Sequence, residues 1–334
     1  MIQLKEFLEL ADQYNLIPIY EEFIADTATP ISLYKNLALE QDYSYLLESS
    51  ENDRYSFIGL KPAAVIKNYN NYFKIVKEGQ EESIRDQELL SYLQNYLKKT
   101  KVYKSEKLPP FSGGFVGFFN YEMIEKWEEI YHEETAKELM KTDAESSILV
   151  MTRIIIAYDH LHNTVQIINN IQLEEGLSRE EKKKAYLKAK KEIESVRKNI
   201  ESSAPQLSRK AEVDLDPAKE LKSNTSKAEF MKMVEKAKEH IRAGDIFQIV
   251  LSQKFSIEND LPPFKVFRAL RSVNPSPYSF YLNFPEIKII GSSPEVLVRV
   301  RNRRVMTRPL AGTRHRGKNK AEDLELEMDL LGEC

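Results

Sequence analysis

The stretch "SSILVMTRIIIAYDHLHNTVQIINN", residues 146–170, gives the clearest indication of a β-sheet in the chain. It consists of two runs rich in β-branched residues on either side of the polar, asparagine-containing segment "DHLHNT". Valine, isoleucine and threonine favour extended backbone, and a short polar segment between two such runs is typical of a β-hairpin. The stretch therefore predicts two antiparallel strands joined by a turn.

The residues before this hairpin contain further strand-like runs. They are rich in Tyr, Phe, Ile and Val, are interrupted by Gly, Pro and Asn, and read "YSYLLES", "RYSFIGLKP" and "AAVIKNYNNYFKIV". Runs of this kind, bounded by turn-forming residues, predict strands of an antiparallel sheet. The first part of the chain is therefore predicted to combine such strands with helices.

After the hairpin the pattern changes to that of an amphipathic helix over residues 178–200. Ser178 and Glu181 have the spacing of a capping box, in which each side chain bonds the backbone N–H of the other. The apolar face of this helix is predicted to contain Ala185, Ala189, Ile193, Val196 and Ile200. Residues 201–224 are polar and contain prolines without apolar periodicity, which predicts a linker. We therefore predict domains at residues 1–200 and 225–334.

The second domain is predicted to begin with a helix and to continue with strands. Ser226 and Glu229 repeat the capping-box spacing, and Gly244 is suited to end this helix because glycine readily adopts the left-handed conformation. The apolar run "IFQIVLSQKF", residues 246–255, has the length of a strand. Further strands are predicted in "SFYLNF", "KIIGSSPEVLVRV" and "RRVMTRPLAGT".

The composition is that of an ordinary globular protein. The 334 residues are 42 % hydrophobic and 30 % charged, with a net charge of −3, and their number predicts about two domains. The single cysteine, Cys334, excludes a disulfide within one chain and a cysteine-based metal site, and fits a reducing, cytoplasmic setting. The N-terminus lacks the apolar core of a signal peptide, and the most apolar run, Ile154 to Tyr158, is too short to span a bilayer. We therefore expect no membrane association.

Two polar side chains within apolar runs are candidates for chemistry. Gln248 shares a predicted strand face with Val250 and Ser252, and a buried glutamine amide must bond either a structural carbonyl or a ligand. Glu295 follows a Gly-Ser-Ser-Pro turn and is either an exposed charge at the start of a strand or a general acid in a partly buried position. For each residue taken alone, the structural interpretation is favoured.

The stretch "RPLAGTRHRG", residues 308–317, is suited to a small anionic ligand. Ala311 and Gly312 keep bulk away from the backbone, Thr313 offers a hydroxyl, and three arginines supply positive charge. The alternatives are a solvated basic loop and a nucleic-acid patch. A nucleic-acid patch is not expected, because no aromatic residues are interleaved with the arginines and the chain is slightly acidic.

Seven stretches of the chain, in the same order, resemble the anthranilate synthase component I family of chorismate-utilising enzymes. In the first domain they are "LLESS", "RYSFIG" and "GGFVGFFNYE". In the second they are "IRAGDIFQIVLSQKF", "NPSPYSFYLNF", "IIGSSPEVLVRV" and "TRPLAGTRHRGK". The resemblance extends to about Glu327, and it implies an α+β fold of mainly antiparallel β-sheets with helices packed outside.

The resemblance implies conversion of chorismate to anthranilate and pyruvate, the first step of tryptophan biosynthesis. The reaction would need Mg²⁺ and ammonia from a separate glutamine amidotransferase subunit, component II. Relatives that add water carry a lysine base at the position of Gln248, so a neutral glutamine favours amination. Many aminodeoxychorismate synthases carry a nucleophilic lysine at the position of Ala311, which disfavours the alternative of aminodeoxychorismate synthase component I. Glu295 matches the acid that protonates the departing hydroxyl, and Gly312 and Thr313 match the site for the chorismate carboxylate.

The first domain resembles the feedback-inhibition half of these enzymes. Ser49 matches a residue that contacts inhibitory L-tryptophan, and the second domain matches the complementary wall through Pro277, Tyr278 and Ser279. A site shared between two domains lets an inhibitor act on their relative placement, as coupling between distant sites requires.

The end of the sequence predicts a helix from Ala321, with an apolar side made of Leu324, Met328 and Leu331. In the family this helix continues into segments that supply the metal-binding glutamates and further active-site residues, none of which is found before Cys334. The resemblance therefore implies that only the N-terminal part of the chorismate-binding domain is present. The resulting alternative is an inactive or tryptophan-binding fragment, and we expect the chain alone to be inactive.

Overall fold

The computed structural model of the chain describes residues 1–48, 54–69, 71–126, 147–202, 221–308 and 314–332. The chain divides into two compact units, Met1–Leu207 together with Leu270–Cys334, and Ser208–Ala269. Within the described ranges, no helix has both the length and the apolar character needed to cross a membrane. Most of the predicted linker, residues 201–224, lies outside the described residues, so the predicted domain border stays a prediction.

Strands and helices alternate irregularly along the chain. The strands are β1 (Leu16–Ile24), β2 (Ser44–Glu48), β3 (Tyr55–Asn68), β4 (Phe73–Lys77), β5 (Gln80–Ile84), β6 (Phe115–Phe119), β7 (Ser147–Asp159), β8 (Thr164–Gln172), β9 (Lys222–Ser223), β10 (Phe255–Ser256), β11 (Tyr278–Asn283), β12 (Lys288–Ser293), β13 (Arg299–Arg301) and β14 (Arg304–Met306). The helices are α1 (Leu4–Leu10), α2 (Pro30–Leu37), α3 (Leu89–Lys99), α4 (Arg179–Glu201), α5 (Lys227–Ala243), α6 (Pro263–Val273) and α7 (Lys320–Gly332), with a 3₁₀ turn at Tyr121–Lys126.

A ten-stranded sheet forms the centre of the first unit. Its main order is β1–β8–β7–β3–β2–β11–β12, with β6 beside β7 and with β4 and β5 following β3. All of these pairs are antiparallel. The prediction of an α+β fold with mainly antiparallel sheets is therefore confirmed.

The predicted hairpin is confirmed as β7 and β8, which pair from Ile154 with Asn169 to Asp159 with Thr164. Almost every residue of β7 is buried, so both of its faces are covered. Asp159 stabilises the turn because its carboxylate accepts hydrogen bonds from the backbone N–H groups of Leu161 and His162. This hairpin forms the middle of the sheet and carries much of its apolar core.

Helix α4 packs on the sheet against β8 and β1 and also contacts α1 and α2. Its capping box forms as predicted, with Ser178 accepting from the N–H of Glu181 and the Glu181 carboxylate accepting from the N–H of Ser178. The buried residues of this helix are Tyr186, Ala189, Ile193 and Val196. The amphipathic helix predicted after the hairpin is thereby confirmed, although Ala185 and Ile200 of its predicted apolar face are only half-buried and Tyr186 was not predicted to belong to that face.

Strands from late in the chain extend the sheet of the first unit. β11 pairs with β2 on one side, opposing Ser279 to Glu48, and with β12 on the other. The side-chain amide of Asn283 donates to the backbone carbonyls of Leu39 at 3.1 Å and Gln41 at 3.0 Å. The end of β2 therefore lies beside the beginning of β11, which positions the site described below.

In the second unit, α5 begins with the predicted Ser226–Glu229 capping box and ends at Gly244, whose φ is 82°. The strand predicted over residues 246–255 is wrong, because only Phe255 belongs to a strand, the two-residue β10. Backbone groups of a strand need a neighbouring strand, and the described residues offer none to this run. Phe247 and Val250 are correspondingly exposed.

Helix α7 in the first unit confirms the helix predicted from Ala321. It has no buried residue among those described, and its apolar side is exposed at Leu324, Met328 and Leu331. The predicted apolar side is thus present without a surface packed against it in the described structure.

Candidate functional site

A cavity of about 410 Å³ lies in the first unit where β2 ends and β3 and β11 begin. Strands β2 and β11 are antiparallel, so the last residues of one lie beside the first residues of the other. The described lining residues are Leu47, Glu48, Tyr55, Phe57, Pro110, Phe111, Pro277, Tyr278, Ser279, Phe280, Arg299, Val300 and Arg301. We call this space the strand-end cavity.

Glu48 is a buried acid in the wall of the strand-end cavity, with 3 % of its surface exposed. Its Oε1 atom has no hydrogen-bond partner among the described residues. Arg271 forms an ion pair with the other oxygen, with Nε 2.5 Å from Oε2. Burial raises the pKa of Glu48 above its ordinary value, and the charge of Arg271 opposes only part of this rise.

Positive charge enters the same cavity from β13 through Arg299 and Arg301. The Arg299 guanidinium donates to the Tyr278 hydroxyl at 3.1 Å and lies 5.8 Å from the centre of the Tyr278 ring. Because the cavity contains both a buried carboxylate and guanidinium groups, it suits a ligand that carries an ammonium and a carboxylate. A free amino acid has these two groups.

Aromatic rings supply an apolar surface in the strand-end cavity. The rings of Tyr55 and Phe57 stack with centres 6.1 Å apart, and Phe57 meets Phe111 edge-to-face at 5.3 Å. Aromatic surfaces at these separations favour a further flat ring placed against them. The cavity therefore combines charged groups for an amino acid with surfaces for an aromatic side chain.

The structure brings part of the predicted inhibitor site together. Pro277, Tyr278 and Ser279 all line the strand-end cavity. Ser279 is buried, and its hydroxyl donates to the carbonyl of Ser276 at 3.4 Å. Ser49 lies outside the described residues, directly after Glu48 in the chain. Tryptophan binding by these four residues stays a prediction.

The predicted catalytic residues belong to different units or lie outside the described residues. Gln248 belongs to the second unit, where it is exposed in a segment without regular structure. Glu295 belongs to the first unit and is exposed in the turn after β12, where its backbone N–H donates to the Ser293 hydroxyl at 3.4 Å. Gly312 and Thr313 lie outside the described residues. The roles of all four residues stay predictions.

Sequence reasoning missed Glu48 and Arg299, which line the strand-end cavity, and Arg271, which forms an ion pair with Glu48. Glu48 ends an otherwise apolar strand-like run, and an acid in such a position is a signal for an unusual partner. No comparable signal marks Arg271 or Arg299, because their positions depend on the pairing of β11 with β2.

The comparison with protein families identifies one family for most of the chain. A model of the chorismate binding enzyme family matches residues 43–333. A protein from Aquifex aeolicus named anthranilate synthase component 1 is 35 % identical over 336 residues, covering 99 % of this chain and 66 % of that protein. A Bacillus subtilis protein of the same name is 37 % identical over 333 residues, covering 97 % of this chain and 63 % of that protein.

A solved structure leads to the same family. The crystal structure of anthranilate synthase component I from Streptococcus pneumoniae matches with a TM-score of 0.59 and 29 % identity, covering 93 % of this chain and 64 % of that one. The chain thus spans just under two thirds of the lengths of these relatives. The sequence and structural similarities agree, and the chain belongs to the chorismate binding enzyme family.

Proposed function

We propose that this chain provides the chorismate-converting component of an anthranilate synthase. The observation that carries the proposal is the 35–37 % identity to proteins named anthranilate synthase component 1 along 97–99 % of the chain. The reaction would join ammonia to the chorismate ring with loss of the ring hydroxyl, and would then release the enolpyruvyl group as pyruvate. The names of the relatives do not favour aminodeoxychorismate synthase.

In this proposal each predicted site residue has one task. Gln248 is neutral and cannot act as a general base, which suits ammonia because ammonia is already a nucleophile. Glu295 would donate a proton to the departing hydroxyl, and Gly312 and Thr313 would hold a carboxylate of chorismate. Ammonia would come from a glutamine amidotransferase subunit, component II, and the enzyme would work in the cytoplasm.

Membership of this family is consistent with a metal cofactor, and we propose Mg²⁺. The described residues do not fit such a site, because no three His, Cys, Asp or Glu side chains among them come close enough together to hold a metal ion. We therefore derive no step through Mg²⁺.

The direct test is an assay of the purified chain with chorismate, an ammonium salt and Mg²⁺, followed by chromatography of the products. Anthranilate and pyruvate in equal amounts support the proposal and contradict the expectation that the chain alone is inactive, whereas aminodeoxychorismate contradicts the proposal. Repeating the assay with glutamine and component II tests the proposed partner. Tryptophan binding without turnover would instead support the alternative of a tryptophan-binding protein.

The strand-end cavity supports a second element of the proposal, feedback inhibition by L-tryptophan. The buried Glu48 carboxylate would accept hydrogen bonds from the tryptophan ammonium, and Arg299 or Arg301 would pair with the carboxylate. The indole ring would lie against the aromatic wall that contains Tyr278. The assignment of tryptophan to this cavity is supported by the presence of acidic, basic and aromatic side chains in one lining.

Calorimetric titration of L-tryptophan tests this element of the proposal. We expect Glu48→Gln to weaken tryptophan binding about tenfold or more, because it removes a charge-assisted partner of the ammonium. Glu106→Gln is the matched control, since Glu106 is an exposed acid that does not line the cavity. Ser49→Ala is also expected to weaken binding. Unchanged affinity in Glu48→Gln, with an unchanged unfolding curve, would contradict this assignment.

A further inference from the structure

A second cavity, of about 440 Å³, lies in the first unit and shares Pro110 with the strand-end cavity as a lining residue. It is bounded by α3, by residues 100–115 and by parts of β7 and β8, and we call it the α3 cavity. Its volume lies within the range of pockets that bind small molecules, roughly 300–1,000 Å³. The tryptophan proposal makes no use of it.

The α3 cavity has a largely apolar and aromatic lining. Tyr96 and Phe115 meet edge-to-face with ring centres 5.5 Å apart, and Leu108 and Met151 add aliphatic and thioether surface. Aromatic edges and methionine sulfur both pack favourably against a flat ring. The shape and lining therefore favour an aromatic ligand over a sugar or a phosphate compound.

Most polar side chains of the α3 cavity already have partners inside the protein. The Tyr96 hydroxyl donates to the Met151 sulfur at 3.1 Å, and the Asn170 amide donates to the Ser112 carbonyl at 2.9 Å. These bonds are made without a ligand. The polar groups thus fix the wall and leave few sites for recognising a strongly polar molecule.

Lys104 gives the α3 cavity a positive charge. It is the one charged side chain among the described residues that line the cavity, and its ammonium forms no ion pair within the described structure. No acidic residue of the described lining opposes it. A single negative group on the ligand would therefore meet an attractive field, whereas a cationic ligand would be disfavoured.

From these observations we infer that the α3 cavity is a second ligand site, which binds a small aromatic monocarboxylate with its ring against Tyr96 and Phe115 and its carboxylate at Lys104. Pro110 lines both the α3 cavity and the strand-end cavity, so the two sites share part of one wall. The strand-end cavity contains the acid Glu48, whereas the α3 cavity contains no acid among its described lining residues. The two sites therefore select different ligands.

The test uses two probes with the same ring, 2-naphthoate and 2-naphthalenemethanol, titrated into the full chain and followed by calorimetry. We expect both to bind, with the carboxylate probe tighter. Lys104→Gln is expected to weaken 2-naphthoate about fivefold and to leave 2-naphthalenemethanol unchanged, since a solvent-exposed charge pair contributes up to about that factor. Lys101→Gln is the matched control, because Lys101 is an exposed lysine that does not line the cavity.

A cavity-filling variant separates the two sites. Leu97→Trp places a large side chain at the surface edge of the α3 cavity, where Leu97 is 59 % exposed, and should weaken both probes without affecting L-tryptophan. Glu48→Gln should leave 2-naphthoate binding unchanged whatever it does to L-tryptophan. The inference is overturned if neither probe saturates, if both variants at Leu97 and Lys104 bind as the parent does, or if L-tryptophan competitively displaces 2-naphthoate.

Discussion

The central hairpin and two later apolar segments contain the same kinds of residues but differ in what covers them. In β7, Ile154 and Ile155 are fully buried. In residues 246–251 of the second unit, Phe247 is fully exposed, and in α7 of the first unit Met328 is 66 % exposed. An apolar pattern is therefore necessary for a core but does not by itself ensure that the side chains are buried.

The two exposed segments also differ from each other. α7 forms although its apolar side is uncovered, because its backbone bonds are local and the Asn319 side chain accepts from the N–H groups of Ala321 at 3.1 Å and Glu322 at 3.0 Å. Residues 246–251 form no strand, because the hydrogen bonds of a strand must come from a neighbour. The backbone hydrogen bonds of a helix are local, whereas those of a strand need a second strand, which comes either from the adjacent segment or from far away in the chain.

The largest expected effect comes from placing a charge in the covered region. Ile155→Asp puts a carboxylate among Ala157, Ile168 and their aromatic neighbours, where it has no partner. We expect it to lower the free energy of unfolding by about 4 kcal/mol or more. Phe247→Asp is the matched change at an exposed site, and it should change the free energy of unfolding by no more than about 0.5 kcal/mol. Urea titrations followed by circular dichroism measure both, and equal effects would refute the comparison.

A smaller effect is expected from a single methyl group in the sheet. In β6, a Cβ atom on Gly117 would lie 1.8 Å from the backbone carbonyl oxygen of Ile148, so the strands would have to separate. Gly117→Ala should lower the free energy of unfolding by about 3 kcal/mol. At Gly79, where φ is 81° and no atom lies within 4 Å, alanine meets only backbone strain and should cost about 1 kcal/mol. The two unfolding midpoints in urea test this order.

Asp159 tests the turn that joins the covered strands. Burial alone would raise its pKa, but hydrogen bonds from Arg54, His162 and the backbone of Leu161 hold the pKa well below the ordinary range. Asp159→Asn should therefore cost about 2 kcal/mol at pH 7. A carboxylate whose pKa is lower in the folded state than in the unfolded state stabilises the fold at pH values above its unfolded pKa. This stabilisation is lost as the pH falls below about 4. The difference between parent and variant should shrink below that pH.

Glu48 is a buried carboxylate whose pKa is raised, whereas the pKa of Asp159 is lowered. The raised pKa of Glu48 is measurable in ligand binding. Because its pKa is raised, protonation begins at a higher pH than for an ordinary glutamate. Affinity for L-tryptophan should fall as the pH is lowered through this raised pKa, since a protonated carboxyl attracts the ammonium less. Glu48→Gln should bind about tenfold more weakly at neutral pH and show no such pH dependence. A parallel pH profile in both proteins would exclude this role.

The sequence was sufficient where the interactions are local. The capping boxes at Ser178 and Ser226 and the left-handed Gly244 were predicted correctly because each depends on residues within one or two helical turns. The β7–β8 hairpin was predicted for the same reason, since its two strands are adjacent in the chain. Short-range patterns contain all the information that these elements need.

The sequence was insufficient where distant strands meet. Pairing of β11 with β2 joins residues more than 200 positions apart, and no pattern within either strand specifies that register. The position of Glu48 beside Ser279 follows from this pairing, so the acid of the strand-end cavity was missed. The resemblance to a family supplied Pro277, Tyr278 and Ser279, which pattern analysis alone did not select.

The smallest expected effect concerns α7, whose apolar side is exposed in the described structure. Met328→Lys replaces an exposed apolar side chain, so the free energy of unfolding should change by no more than about 0.5 kcal/mol. An exposed apolar stripe favours association between molecules, and the lysine should reduce it. Light scattering of the parent and the variant at increasing concentration measures this change. If Met328→Lys destabilised the fold by several kcal/mol instead, α7 would have a covering surface in solution, and its apolar side would belong with the hairpin among the covered regions.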